Sequence, residues 1–160
     1  SVEFIRSSAC PEETHAIGVA LGRLLSPRDA LLLEGDLGAG KTALVRGCLL
    51  SLGCREKVKS PSYTLVELYS LSNLNFYHFD FYRIKSPSEW DVTGFEEYFD
   101  QTAVCAVEWP EKANGLLPTA DLQFLIEITG TDHRRVEIRA YTEAGRQCLE
   151  RWQTLRTLRQ

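Results

Sequence analysis

The chain has 160 residues, of which 44% are hydrophobic and 25% charged, and its formal net charge is −4. This length and balance are typical of one globular domain, which we expect to span residues 1–160. A free-standing nucleic-acid binder usually carries a basic face, so the acidic balance predicts that any contact with RNA is made through partners.

The composition also argues against a membrane or secreted protein. No apolar stretch approaches the about 18 residues that a membrane-spanning helix needs, and the first residues lack a charged-then-apolar signal pattern. The five cysteines form no C-x-x-C pair, and no histidine stands at zinc-ligand spacing. Buried, reduced thiols in a cytoplasmic protein are the expectation, with no membrane contact.

The first half of the chain predicts strand, helix, strand and helix in that order. Residues 2–6 are expected to form an edge strand, and Pro11 to open a helix with an apolar stripe. Residues 30–34 form a short apolar run, as expected of a buried parallel strand at the centre of a sheet. The stripe of the first helix comprises Ile17, Ala20, Leu21, Leu24 and Leu25, and that of the second Leu44, Val45, Cys48, Leu49 and Leu52, with Gly53 as its C-terminal cap.

Between the central strand and the second helix stands a phosphate-binding loop. The segment fits G-x-x-x-x-G-K-[ST], and strand, glycine loop and helix are the setting that this motif requires. Glycines let backbone N–H groups approach phosphate oxygens, the helix N-terminus favours an anion, and a hydroxyl can bind Mg²⁺. The nucleotide-binding candidates are therefore Gly35, Asp36, Leu37, Gly38, Ala39, Gly40, Lys41 and Thr42. Lys41 would place its charge on the β- and γ-phosphates.

The second half predicts a mixed sheet. Two strands at 63–69 and 75–79, joined by a short turn, should be antiparallel. A capping box at 86–89 predicts a short helix, followed by another at 95–99. Later elements are a buried strand at 103–108, a hairpin of 122–129 with 135–140, and a C-terminal helix from about residue 142. The fold class is therefore α/β, a single domain like that of the P-loop NTPases, with a mixed parallel and antiparallel sheet flanked by helices.

Two acids close apolar strands and are the candidates to complete a Mg²⁺-nucleotide site. Ligands bind at the carboxyl ends of such strands, which places both Asp80 and Glu108 near the loop. Spacing alone assigns neither the metal ligand nor the group that positions water. Whether the Asp36 side chain faces solvent or a nucleophilic water is left open. His78, between two aromatic residues, is expected to be a packed histidine rather than a catalytic one. Trp109 is either an exposed contact residue or part of the core.

Three classes of phosphate-loop protein remain open on the residues alone. A regulatory GTPase is excluded by the lack of N-K-x-D, and the D-x-x-G at 91–94 follows a capping box rather than a strand. A small-molecule phosphotransferase usually needs a mobile Arg-rich lid, which Arg134 and Arg135 beside a turn do not supply. An ATPase coupled to a partner fits a compact chain better. A nucleotide-dependent interaction module is the third hypothesis. Lys59, Ser60 and Thr64 flank a loop that either closes on the γ-phosphate like a switch segment or is a solvated basic loop.

Four sequence blocks together resemble the bacterial TsaE family, formerly YjeE. They are G-D-L-G-A-G-K-T at 35–42, V-K-S-P-S-Y-T-L-V-E at 58–67, Y-H-F-D-F-Y-R at 77–83 and V-E-W-P at 107–110. The resemblance implies a Mg²⁺-dependent ATPase, weak alone, that is needed to make threonylcarbamoyladenosine next to the anticodon of tRNA. It implies a TsaD–TsaB heterodimer as the partner, with tRNA contacted indirectly, and ATP, ADP and Mg²⁺ as ligands.

The resemblance also implies roles for individual residues. Lys41 and Thr42 would bind phosphate and Mg²⁺, Glu108 would be the second Mg²⁺ ligand, and Asp80 would be required for hydrolysis. Lys41, Asp80 and Glu108 are thus the predicted catalytic residues. The family resemblance places Pro11, Thr14 and Asp132 on the adenine side.

Overall fold

The protein is described by a computed structural model that covers residues 2–26, 29–58, 65–72, 74–85, 95–100, 103–113 and 117–159. Its seven strands within these ranges are β1 (Val2–Ser8), β2 (Ala30–Glu34), β3 (Val66–Ser70), β4 (Asn75–Asp80), β5 (Ala103–Glu108), β6 (Leu122–Ile128) and β7 (Arg134–Ala140). Its α-helices are α1 (Pro11–Gly22), α2 (Lys41–Ser51) and α3 (Glu143–Arg159). Short 3₁₀ turns occupy Phe95–Asp100 and Pro110–Ala113.

One mixed sheet carries all seven strands in the order β1-β7-β6-β2-β5-β4-β3. The central strand β2 is parallel to both of its neighbours, β5 and β6, and β4 is parallel to β5. The pairs β1–β7, β6–β7 and β3–β4 are antiparallel. The predicted α/β class, the central position of residues 30–34, the edge strand and both antiparallel pairs are confirmed. The carboxyl ends of β2, β4 and β5 consequently meet at one edge of the sheet.

Two apolar clusters form the core. The larger joins the three helices to the sheet, with Leu21 of α1, Leu44 of α2 and Leu149 of α3 among its fully buried members. The second is aromatic and contains Phe79 and Phe81, with Phe79 stacked on Phe99 of the 3₁₀ turn at 5.5 Å. The sheet is therefore the layer against which both clusters pack. The thiols of Cys48, Cys105 and Cys148 are buried as predicted, and burial raises the pKa of each to about 12.

The first helix differs in detail from its predicted stripe. It ends at Gly22, so Leu24 and Leu25 follow it rather than extend it. Its buried residues include Gly18, because α1 and α2 approach too closely there for a larger side chain. The helix predicted after 86–89 lies outside the described residues, and the one predicted at 95–99 is a 3₁₀ turn.

The C-terminal helix lies close to its predicted position. The C-terminal helix begins at Glu143, one residue beyond its predicted start, and buries Cys148, Leu149 and Trp152. None of the helices in the described ranges has the length and hydropathy needed to cross a bilayer. That residues 1–160 form a single domain stays a prediction.

Candidate nucleotide-binding site

The loop between β2 and α2 has the backbone of an anion-binding turn. Gly38 and Gly40 have φ angles of 78° and 114°, in a region that side-chain-bearing residues rarely adopt. Gly40 is the N-cap of α2, and Lys41 is its first residue. The first N–H groups of a helix have no acceptor within the helix, and the helix dipole places a partial positive charge at the same end, which here adjoins the loop. Such an end binds phosphate groups readily.

A cavity of about 300 Å³ opens at this loop and brings the three predicted catalytic residues together. The sheet register explains the arrangement, because Asp80 of β4 and Glu108 of β5 are direct partners at the ends of parallel strands. Glu108 is also the partner of Leu33 on β2, two residues before the loop. The lining residues are Leu37, Gly38, Ala39, Gly40, Lys41, Thr42, Ala43, Asp80, Tyr82, Glu108 and Trp109.

Three polar side chains form a chain of contacts on one side of the cavity. The hydroxyl of Thr42 donates to Glu108, with Oγ1 lying 3.1 Å from Oε2 and 3.4 Å from Oε1. On its other side, Glu108 Oε2 lies 2.5 Å from Nε2 of His78, whose side chain is fully buried. A hydroxyl and a carboxylate are oxygen ligands of the type that Mg²⁺ prefers. Adjacent ligands of an octahedral Mg²⁺ lie about 3 Å apart, so the Thr42–Glu108 spacing fits such an ion.

The ammonium group of Lys41 is held against the loop. It donates to the carbonyl oxygens of Gly35 and Asp36, the latter at 3.0 Å. Nζ also lies 4.2 Å from the centre of the Trp109 ring, a cation–π contact. Burial lowers the pKa of Lys41, and the carboxylates of Glu108 and Asp80 oppose that shift. A buried ammonium group thus lines the same cavity as the two carboxylates.

Asp80 has an environment different from that of its strand partner. Burial raises its pKa, and the nearby negative charge of Glu108 raises it further. The backbone N–H of Tyr82 donates to Oδ1 at 3.0 Å and opposes the shift. A carboxylate with a raised pKa accepts a proton more readily than an exposed one, which suits a group that positions or deprotonates water.

The residues assigned to the adenine side lie around a second, smaller cavity. Pro11, Thr14 and Asp132 line a space of about 90 Å³ on the same loop. The hydroxyl of Thr14 pairs with that of Ser8 at 2.7 Å and is therefore already engaged. A Cβ built on Gly40 would lie 3.2 Å from the Thr14 methyl, so Thr14 packs closely against the loop. That these residues contact adenine stays a prediction.

Several site residues were missed or left undecided by sequence reasoning. His78 is buried as expected, but its contact with Glu108 was not foreseen, although it precedes Asp80 by two residues and so faces the same side of β4. Trp109 combines its two alternatives, because it is half-buried against the second apolar cluster and also contacts Lys41. Arg134, considered only as part of a lid, donates to the loop itself. Asp36 is exposed, and residues 59–64 lie outside the described ranges.

Comparisons with known proteins agree on one family. The sequence profile of the family described as "Threonylcarbamoyl adenosine biosynthesis protein TsaE" matches residues 8–136. The tRNA threonylcarbamoyladenosine biosynthesis protein TsaE of Haemophilus influenzae is 46% identical over 114 residues, covering 71% of this chain and 72% of the relative. That of Bacillus subtilis is 42% identical over 130 residues, 81% of each chain. The crystal structure of Bacillus subtilis YdiB superposes with a TM-score of 0.83 at 33% identity, covering 96% of this chain and 95% of that one.

Proposed function

The chain belongs to the TsaE family of threonylcarbamoyladenosine biosynthesis proteins, and on that premise we propose that it is a Mg²⁺-dependent ATPase. It hydrolyses ATP in complex with a TsaD–TsaB heterodimer, which modifies tRNA next to the anticodon. The observation that carries the proposal is the single cavity in which the loop, Lys41, Thr42, Asp80 and Glu108 meet.

Each of these residues has a role that follows from its position. The amides at the start of α2 and the ammonium of Lys41 bind the phosphates and hold the γ-phosphate in the cavity. Thr42 and Glu108 would hold Mg²⁺, which supplies charge neutralisation on the phosphate oxygens when it is bound. Asp80, with its raised pKa, orients the attacking water and accepts its proton.

Two further observations support dependence on a partner. Leu37 and Tyr82 line the cavity, yet they are 64% and 46% exposed, so one wall of the site presents apolar surface to solvent. A phosphoryl-transfer site works best when water is excluded, so activity alone is expected to be weak and to rise when the TsaD–TsaB pair covers this wall. The acidic balance of the chain favours contact with tRNA through the partners in the cytoplasm.

The test is ATP hydrolysis by the pure chain, with and without the cognate TsaD–TsaB pair. Glu108→Ala is compared with Glu111→Ala, which changes an exposed carboxylate on the neighbouring 3₁₀ turn. We expect strong stimulation by the pair, lost in Glu108→Ala and kept in Glu111→Ala.

Two other results would refute the proposal in favour of different functions. ADP formation that depends on an added metabolite rather than on the protein pair would identify a phosphotransferase. ATP-dependent complex formation with hardly any hydrolysis, unaffected by Glu108→Gln, would identify a nucleotide-dependent interaction module.

A further inference from the structure

The guanidinium of Arg134 connects two parts of the site that are far apart in sequence. Arg134 is the first residue of β7, directly after the turn that joins it to β6. Its Nε donates to the carbonyl of Ala39 at 2.9 Å, and its Nη2 donates to that of Gly38 at 3.1 Å. Its Nη1 donates to the turn itself, to His133 O at 2.8 Å and Gly130 O at 3.2 Å. One side chain therefore fastens the phosphate loop to the β6–β7 turn.

These contacts fix the orientation of two consecutive peptide units of the loop. The C=O and N–H of a trans peptide point in opposite directions, and the described residues contain no cis peptide. Because Arg134 holds the Ala39 carbonyl, the N–H of Gly40 must point away from Arg134. The Gly38 carbonyl shares its peptide with the N–H of Ala39, which donates to Asp36 O at 3.0 Å and closes the turn.

The two cavities lie along this same loop, and Arg134 lines only the smaller one. The N–H of Gly40 is thus directed to the other side of the loop, where an anion can accept from it, whereas the N–H of Ala39 donates within the turn. Glycine loops can flip their peptide planes at low cost in free energy. A group outside the loop is therefore needed to stabilise one orientation of these planes over the others. A guanidinium suits this task because its planar fork presents several donors at fixed angles.

We infer that Arg134 is a positioning residue of the phosphate loop, which it holds in the anion-binding conformation before any nucleotide arrives. The inference rests on the proposed use of this loop to bind nucleotide phosphates. Occupancy of the loop is thereby linked to the β6–β7 turn, because any change in the loop carbonyls must move the guanidinium that the turn also holds.

The experiment measures the loop in the nucleotide-free protein and then nucleotide affinity. Arg134→Ala and Arg134→Lys are compared with Arg135→Ala, a neighbouring arginine whose Nη1 lies 4.0 Å from Glu137 on the same strand. Amide hydrogen exchange is followed by NMR at Ala39 and Leu44, whose N–H groups donate to Asp36 O and Gly40 O. Phe124, within the β6 ladder, reports global opening. Affinity for ADP is measured by calorimetry.

In Arg134→Ala we expect exchange at Ala39 and Leu44 to become at least about tenfold faster and ADP affinity to fall about tenfold, as the loss of one or two hydrogen bonds predicts. Phe124 should exchange at the wild-type rate. Arg134→Lys should be intermediate, because an ammonium keeps the charge but not the fork, and Arg135→Ala should match the wild type.

Three results would overturn the inference. Loop exchange in both Arg134 variants equal to that of Arg135→Ala would show that the contacts do not hold the loop. Equal acceleration at Phe124 would show a loss of global stability instead. Weaker ADP binding with unchanged loop exchange would show that Arg134 contacts the nucleotide directly. A wild-type protein that binds no ADP would refute the proposed function, while the exchange data would still decide whether Arg134 positions the loop.

Discussion

The imidazole of His78 and the carboxylate of Glu108 form a buried pair, with Nε2 lying 2.5 Å from Oε2. The other ring nitrogen of His78, Nδ1, is buried and has no hydrogen-bond partner among the described residues. The ring proton therefore belongs on Nε2, the nitrogen that has an acceptor. Since Glu108 also accepts from Thr42, His78 limits the positions that this carboxylate can take beside the loop.

Loss of the His78 donor should destabilise the fold. His78→Ala leaves a buried carboxylate with one hydrogen bond fewer, so we expect the free energy of unfolding to fall by about 2–4 kcal/mol. Urea denaturation measures this, with His133→Ala at an exposed position as the control. In a double-mutant cycle with Glu108→Gln we expect a coupling energy of about 1–3 kcal/mol. Strictly additive effects would show that the two side chains do not interact.

Removal of the Lys41 charge should weaken nucleotide binding. Lys41→Ala deletes one charge-assisted contact to phosphate, worth about 1.5–3 kcal/mol, so ATP affinity should fall roughly 10- to 100-fold. Calorimetric titration with ATP and Mg²⁺ checks this. Lys112→Ala, which removes an exposed lysine from the nearby 3₁₀ turn, should bind ATP like the wild type. An unchanged affinity in Lys41→Ala would contradict the assignment of the phosphate loop.

Replacing the Asp80 carboxylate should raise the stability of the fold and lower ATP hydrolysis. Its pKa is raised in the folded state, from 3.8, mainly by burial. The folded protein then binds the proton more tightly than the unfolded chain does, so the contribution of Asp80 to the free energy of unfolding falls as the pH rises from about 4 through the raised folded-state pKa. Asp80→Asn removes this penalty and keeps an oxygen that can accept from the Tyr82 N–H.

Thermal unfolding and ATP hydrolysis of Asp80→Asn together test these two effects. Asp80→Asn should unfold a few degrees above the wild type at pH 7, because a gain of about 0.5–1 kcal/mol in the free energy of unfolding raises the melting temperature by that much in a chain of this size. The gain should be smaller at pH 4.5, where the wild-type carboxyl holds more of its proton. ATP hydrolysis should fall about 10²- to 10⁴-fold, the range for loss of a general base. A stability gain that is equal at both pH values would refute the role of the carboxyl charge.

The local part of the site could be predicted because the sequence encodes it locally. The loop from Gly35 to Thr42 is defined by residue types at fixed spacing, and Asp80 and Glu108 each close an apolar run. Since the carboxyl ends of parallel strands meet at one edge, these acids were expected beside the loop, and the register of β4 and β5 places them there.

The contacts that sequence reasoning missed all depend on how distant elements are placed. His78 reaches Glu108, 30 positions away, only because β4 and β5 are in one register. Arg134 reaches Ala39 across 95 positions, through the placement of the β6–β7 turn over the loop. Arg134 carries no local signal for such a contact, and the two-residue spacing of His78 from Asp80 indicates only the side of β4 on which His78 lies. In the sequence, the glycines of α1 indicate only a lower helix propensity. The structure shows why they are present, because they allow α2 to approach α1 closely.

The crossing of α1 and α2 should not tolerate a methyl group. A Cβ on Gly18 would lie 2.1 Å from the carbonyl oxygen of Leu44, and one on Gly47 would lie 2.2 Å from that of His15. Because both obstacles are helix backbone, the helices must move apart, and α2 carries the phosphate loop at its N-terminus. Gly18→Ala should therefore lower the free energy of unfolding by about 1–3 kcal/mol, despite the higher helix propensity of alanine.

Urea denaturation of Gly18→Ala measures that loss, and ADP titration shows whether the displaced helix also disturbs the loop. Gly130→Ala is the matched control, because the atoms nearest its Cβ would be those of the His133 side chain, at 3.4–3.6 Å, an ordinary contact distance. We expect Gly130→Ala to stay within about 0.5 kcal/mol of the wild type. If Gly18→Ala were as stable as the control, the two helices would lie farther apart in solution than the structure places them.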